Sequence, residues 1–224
     1  MKRIKMQEAI FAFCCLAILL GAISSDAFAT VNPNVHYTYS NDAYSAQLIS
    51  EYAALTYSYS FDASLTNTCG VRYAEQIDNA VTDWKESVLA QFDKVNYGAK
   101  ARFLMINGTT GLYMNIHAYC YFFDSNGSVV SDNISALNPC PEPTSDYATV
   151  CIYMNQYTMD GCYSAAGVQS ICAHELGHFF GLAHLPTEYY SSVPSIMQAS
   201  AYFSPYQVVQ DDDIYQANSL YLHW

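Results

Sequence analysis

The sequence predicts an α+β domain, on three observations. Leu55, Tyr57, Tyr59 and Phe61 alternate with small polar residues, which is the period of a strand. Ala74, Ile77, Val81, Trp84, Val88 and Leu89 fall at helical spacing, so an amphipathic helix is expected over 71–92. Several strands then follow before two more helices, an order unlike the repeating βαβ of a parallel α/β sheet.

The remaining elements follow in order. Residues 42–54 could form a short helix, 101–106 a strand and 111–123 a longer strand. Asp124-Ser125-Asn126-Gly127 is a turn signal, with 128–134 as a possible hairpin return. Asn138 to Pro143 is broken by three prolines and reads as a loop. Residues 147–155 are a further strand, 161–167 a loop and 168–180 a helix. After an irregular stretch containing Pro186, Pro194 and Pro205, 212–222 closes the chain as a helix with an acidic first turn. The 21 tyrosines are scattered, which suits β-rich packing by aromatic side chains with polar tips.

The first 29 of the 224 residues have the pattern of a secretory signal peptide. Lys2, Arg3 and Lys5 precede an apolar run from Ala9 to Ile23, and Ala27-Phe28-Ala29 supplies small residues for cleavage after Ala29. A membrane anchor is the competing reading, but the run is short for a span of ~20 apolar residues. Cleavage would leave a 30–54 segment and a catalytic-size region over 55–224. It would remove Lys2, Arg3, Lys5, Glu8 and Asp26, leaving 5 basic and 18 acidic residues, a formal charge of −13. That charge argues against nucleic acid or an anionic membrane as partner. Cys69, Cys120, Cys140, Cys151, Cys162 and Cys172 remain, an even count that suggests up to three disulfides. Cys140–Cys151 and Cys162–Cys172 are the local pairings expected; a zinc–cysteine site competes poorly because no CxxC pair is present.

One segment carries the chemistry: His174-Glu175-Leu176-Gly177-His178-Phe179-Phe180-Gly181-Leu182-Ala183-His184. Histidines four residues apart lie on one helix face, one turn apart, within reach of a single metal. Gly181 permits the bend that ends the helix, so the chain can turn back and deliver His184. Three histidines on tetrahedral zinc leave a fourth position for water. Glu175, adjacent in sequence, can act as general base. A helix that merely happens to carry histidines is the bland reading, and the fixed offsets of five residues weigh against it. His36, His117 and His223 read as ordinary surface or strand residues.

These residues resemble the metzincin zinc peptidases, marked by HExxHxxGxxH and a following methionine turn. Ser195-Ile196-Met197, thirteen residues past His184, looks like that turn. Asp212-Asp213-Ile214 with Ser219-Leu220-Tyr221 is similar to the closing helix of matrixins. The resemblance implies a metzincin-like zincin fold over 55–224: a mixed twisted sheet, an active-site helix and a C-terminal helix. It implies one catalytic zinc on His174, His178 and His184, Glu175 as catalytic base, and Met197 as a floor beneath the ligands. It implies a side-chain pocket near Gln198, Tyr202 and Tyr206. Matrixins also carry calcium and a second zinc, but the matching histidines are absent here; Asp124 to Asp132 and Asp160 supply only a few oxygens. Cys69-Gly70-Val71 echoes the letters of the matrixin propeptide switch, yet it lies after the first strand and reads as a disulfide cysteine. The expected function is a secreted, monomeric zinc endopeptidase acting on extracellular protein or peptide. A catalytically silent binding protein and a zinc amidase acting on cell-wall peptides are the alternatives.

Overall fold

The computed structural model describes residues 35, 37–39, 56–87, 91–109, 111, 115–131, 142–161, 164–199 and 208–221. The signal segment, the 42–54 helix, Cys140, Cys162, Tyr202 and Tyr206 lie outside them. All described residues belong to one compact unit, Asn32–Trp224.

Five strands form one sheet: β1 (Thr56–Ser60), β2 (Gln91–Lys94), β3 (Ala101–Ile106), β4 (Ala118–Phe123) and β5 (Thr149–Asn155), in the order β2-β1-β3-β5-β4. All neighbours are parallel except β4, which runs antiparallel to β5 at one edge. Among the described residues, four α-helices accompany it: α1 (Tyr73–Ser87), the one-turn α2 (Gln156–Met159), α3 (Ala165–Phe179) and α4 (Asp211–Tyr221). This mixed sheet with its helices is the metzincin-like fold that the sequence implies. No helix among the described residues is long and apolar enough to cross a membrane.

Register explains the core. Ala101, Val150 and Phe122 lie opposite one another across β3, β5 and β4, and Phe103, Ile152 and Cys120 form the next such row. These side chains are buried. Tyr57 meets Phe179 edge-on at 5.3 Å, and Phe92 packs on Phe180 at 5.4 Å. The buried stripe of α1 (Tyr73, Ala74, Ile77, Ala80, Val81, Trp84) closes on α3, where Trp84 donates its indole N–H to the Ala173 carbonyl at 2.8 Å. The tyrosines use both ends as expected: rings are buried while Tyr59 and Tyr73 hydroxyls donate to Asp78 and Asp160.

Four element boundaries differ from expectation, the simplest being the helix expected over 168–180, which begins at Ala165. The first helix ends by Ser87, and Phe92 belongs to β2, where Tyr57↔Phe92 pairing overrides the helical spacing. The strand expected over 111–123 begins only at Ala118; Gly111 takes φ +66°, which no strand accommodates. The return after the 124–127 turn is reduced to single bridges, Phe123↔Val129 and Ser131↔Pro143.

The cysteine expectation needs correction as well. Cys69, Cys120, Cys151 and Cys172 carry thiols, so neither Cys140–Cys151 nor Cys162–Cys172 is bonded. Cys172 sits within α3, about 10 Å of helical rise beyond Ala165, with no exposed surface. Cys151 is held in β5 between Arg102 and Tyr121 on the adjacent strands. Cys69 is exposed and in no disulfide.

The α1–α3 contact leaves no spare volume at Gly177. A Cβ there would stand 2.2 Å from the Met197 sulfur and 3.4 Å from Trp84. Alanine is the better helix former by roughly 1 kcal/mol, but this overlap lies among fully buried groups. Gly177→Ala is therefore expected to lower unfolding free energy by about 1–3 kcal/mol in urea denaturation, with an unchanged m-value.

Candidate metal centre and active site

Helix α3 is buried almost all round, from Gly167 to Phe179, so it is a core helix rather than a surface one. Ser164 caps its start, accepting from the Gly167 N–H at 3.2 Å. Its end is a Schellman motif: Leu182 N–H donates to the Gly177 carbonyl and Gly181 N–H to the His178 carbonyl, both at 3.0 Å. Gly181 stands at the left-handed position with φ +89°, where a side chain would be strained. The turn foreseen from the sequence is therefore made, and it sends His184 back toward the helix.

The three histidines meet as the sequence predicts. His174 Nε2 lies 3.1 Å from His178 Nε2 and 3.1 Å from His184 Nε2. Ligands at roughly 2.0–2.1 Å on a tetrahedral zinc are about 3.3–3.4 Å apart, so the triad is close to a zinc's own dimensions. The opposite ring nitrogens are already engaged. His174 Nδ1 faces the Ile196 carbonyl at 2.8 Å and His178 Nδ1 the Leu182 carbonyl at 2.7 Å. A carbonyl only accepts, so each Nδ1 carries the proton and each Nε2 lone pair faces inward. Burial lowers all three histidines, His174 to about 4, His184 to about 3 and His178 well below its ordinary range. They are thus held neutral, the form that binds a metal. Among the described residues, this is the group of His, Cys, Asp or Glu close enough to hold an ion.

Glu175 is buried beside the triad, and burial pushes its carboxyl up to about 8. The Cys120 thiol offsets part of that, donating to Oε2 at 3.2 Å. Cys120 belongs to edge strand β4 and was missed by the sequence reading, which counted it only as a disulfide candidate.

The methionine turn is held from α4. Asp213 accepts from the Tyr37 hydroxyl (2.9 Å) and Ser195 hydroxyl (2.6 Å) on Oδ1, and from Ile196 N–H and Gln210 N–H (2.9 Å each) on Oδ2. Ser195 in turn accepts from Met197 N–H at 2.9 Å. Met197 is fully buried and lies against Gly177, directly under the ligand helix. Gln198 is buried and donates to the Tyr190 carbonyl at 3.2 Å, while Ala199 N–H donates to the Tyr190 hydroxyl. Of the acidic groups considered for calcium, Asp132 lies outside the described residues; Asp124 accepts from Asn126 and Ser128 within its turn, and Asp160 from Tyr73 and Gln156. His117 is half-buried and stands outside the triad.

The Asp213 arrangement makes a testable demand. Four donors converge on one carboxylate, and an amide can turn only one acceptor toward them. Asp213→Asn is expected to cost about 1–3 kcal/mol of stability, seen as a lower urea midpoint, with the zinc-free chain affected as well.

A family model described as matrixin peptidase matches residues 50–222. No curated protein matches the chain. The match spans the sheet, the helix and loop that carry the three histidines, the methionine turn and the closing helix, so the chain belongs to the matrixins, a family of zinc-dependent metzincin peptidases.

Proposed function

We propose that the protein is a secreted endopeptidase that cleaves extracellular protein or peptide, with His174, His178 and His184 holding one zinc and Glu175 as general base. The observation that carries this reading is the convergence of three Nε2 atoms, those of buried His174 and His178 and of half-buried His184, next to a buried carboxylate. Zinc, when bound, supplies a Lewis acid that lowers the pKa of water and polarises a carbonyl.

The chain's own residues supply the rest. Glu175 takes up a proton from the attacking water and returns it to the leaving amine. Its raised affinity for protons suits that shuttle. The Cys120 thiol fixes the carboxylate's rotamer through Oε2. Strand β4 supports an extended substrate. Val130 N–H donates to the Phe122 carbonyl on the outer side, so by alternation Ala118 and Cys120 also turn their amides and carbonyls outward, away from β5. A peptide added there would run beside Glu175 by strand addition. Gln198, beyond the methionine turn, is read as part of the side-chain pocket, together with Tyr202 and Tyr206. Export rests on the basic and apolar start of the sequence.

Incubating the chain with casein tests the reading. Cleavage is expected to stop with a chelator and return with zinc. Glu175→Ala is expected to lose activity by about 10²–10⁴-fold while still binding zinc. Zinc uptake with no cleavage by the wild type would instead indicate a silent binding protein, and cleavage limited to cell-wall peptides a different amide substrate. Cys120→Ala is expected to lower kcat by about tenfold, corresponding to one hydrogen bond to a charged group at ~1.5 kcal/mol. Cys120→Ser, which retains a donor, should recover most of that loss in a kcat assay.

A further inference from the structure

Val35 and Tyr37 to Tyr39 form a strap across the back of the loop that carries His184. Thr38 bridges Leu182 in antiparallel fashion, flanked by Tyr39 N–H to the Gly181 carbonyl (3.0 Å) and Ala183 N–H to the Tyr37 carbonyl (2.7 Å). Val35 and Tyr37 are buried. The Val35 carbonyl accepts from the Gln216 side chain, and the Tyr37 hydroxyl donates to Asp213. The strap thus pairs with the loop that connects His178 to His184, and it lies upstream of the matched region 50–222.

At its end the strap reaches a histidine of the triad. Tyr39 Oη lies 2.7 Å from His178 Nδ1, and the Tyr39 ring stacks on the imidazole with centroids 5.9 Å apart and planes 28° apart. Phe122 meets the Tyr39 ring in a T-shaped contact with centroids 5.8 Å apart. Nδ1 has one proton, and two oxygens, Leu182 O and Tyr39 Oη, stand at 2.7 Å from it. When Nε2 binds a metal, Nδ1–H is shared between these two acceptors, which fixes the tautomer and raises the ligand's basicity.

We propose that Tyr39 is a positioning residue for the metal centre: its hydroxyl and ring, delivered by the strap, hold His178 in its zinc-binding orientation. The proposal rests on the zinc assignment made above and goes beyond it in assigning part of the site to residues before position 50. Tyr39 acts through His178 and touches no substrate.

Zinc affinity of the full chain, measured by competition with a chromophoric chelator, tests this directly. Tyr39→Phe keeps the stacked ring and removes the acceptor. Its zinc Kd is expected to rise about tenfold or more, as for other groups that orient a ligand from behind, with the far-ultraviolet circular dichroism unchanged. Tyr39→Ala, lacking the ring too, should weaken zinc further. Gln216→Met loosens the strap's beginning at Val35 without touching Tyr39, and is expected to leave the zinc Kd within about twofold. The cobalt(II)-loaded chain should show a shifted visible spectrum in Tyr39→Phe but not in Gln216→Met. A Tyr39→Phe Kd within about twofold of wild type overturns the proposal. So does an equal loss in Gln216→Met, or collapse of the Tyr39→Phe fold, because either makes the role merely structural. A wild-type chain that takes up no zinc overturns this and the proposed function together, whereas zinc uptake without peptide cleavage leaves the Tyr39 comparison decisive by itself.

Discussion

The buried carboxylate of Asp213 is the constraint on which the centre depends. It joins three parts of the chain that are far apart in sequence: the strap through Tyr37, the methionine turn through Ser195 and Ile196, and the start of α4 through Gln210. Full burial alone would favour the neutral acid, and it does raise Asp213 to about 6 against the pull of its four donors. From Ile196 the connection continues through that residue's carbonyl to His174 Nδ1. The orientation of one histidine of the triad is therefore tied to the C-terminal helix. The Schellman turn at Gly181 does the equivalent for His178 and His184 from the other side.

Much of this was legible in the sequence because local chemistry enforces it. The His174 to His184 segment needs only a helix, a glycine with positive φ and a return, and those are short-range properties. The body of α1 and strand β3 follow from sequence pattern, since within them no tertiary partner competes. The acidic opening of α4 was visible as a dipole feature, while the role of Asp213 as a four-way acceptor was not. Its partners Tyr37 and Ser195 lie 176 and 18 residues away.

What was missed depends on long-range pairing. Phe92 fits a helix by spacing and becomes a strand residue only because β1 offers Tyr57 opposite it. Cys120 looks like one of an even set of cysteines, and only the position of β4 over α3 turns its thiol toward Glu175. The cysteine count predicted cross-links, yet Cys172 is used as core and Cys151 as a strand residue. Gly111 could not extend β4, because its backbone is left-handed. In each case the residue type permitted two uses, and packing chose between them.

The strap also bears on where this molecule physically begins. The matrixin match begins at residue 50, whereas Tyr37 and Tyr39 upstream of it contact His178 and the loop that follows it. A single cut of the chain between residues 39 and 50 would convert this intramolecular contact into a dissociable one. Its effective concentration would then drop from the millimolar range of a short linker to that of a free peptide. The folding unit is longer than the stretch that marks its ancestry, and a chain trimmed to the boundary of resemblance would lose part of the hardware that orients its metal ligands.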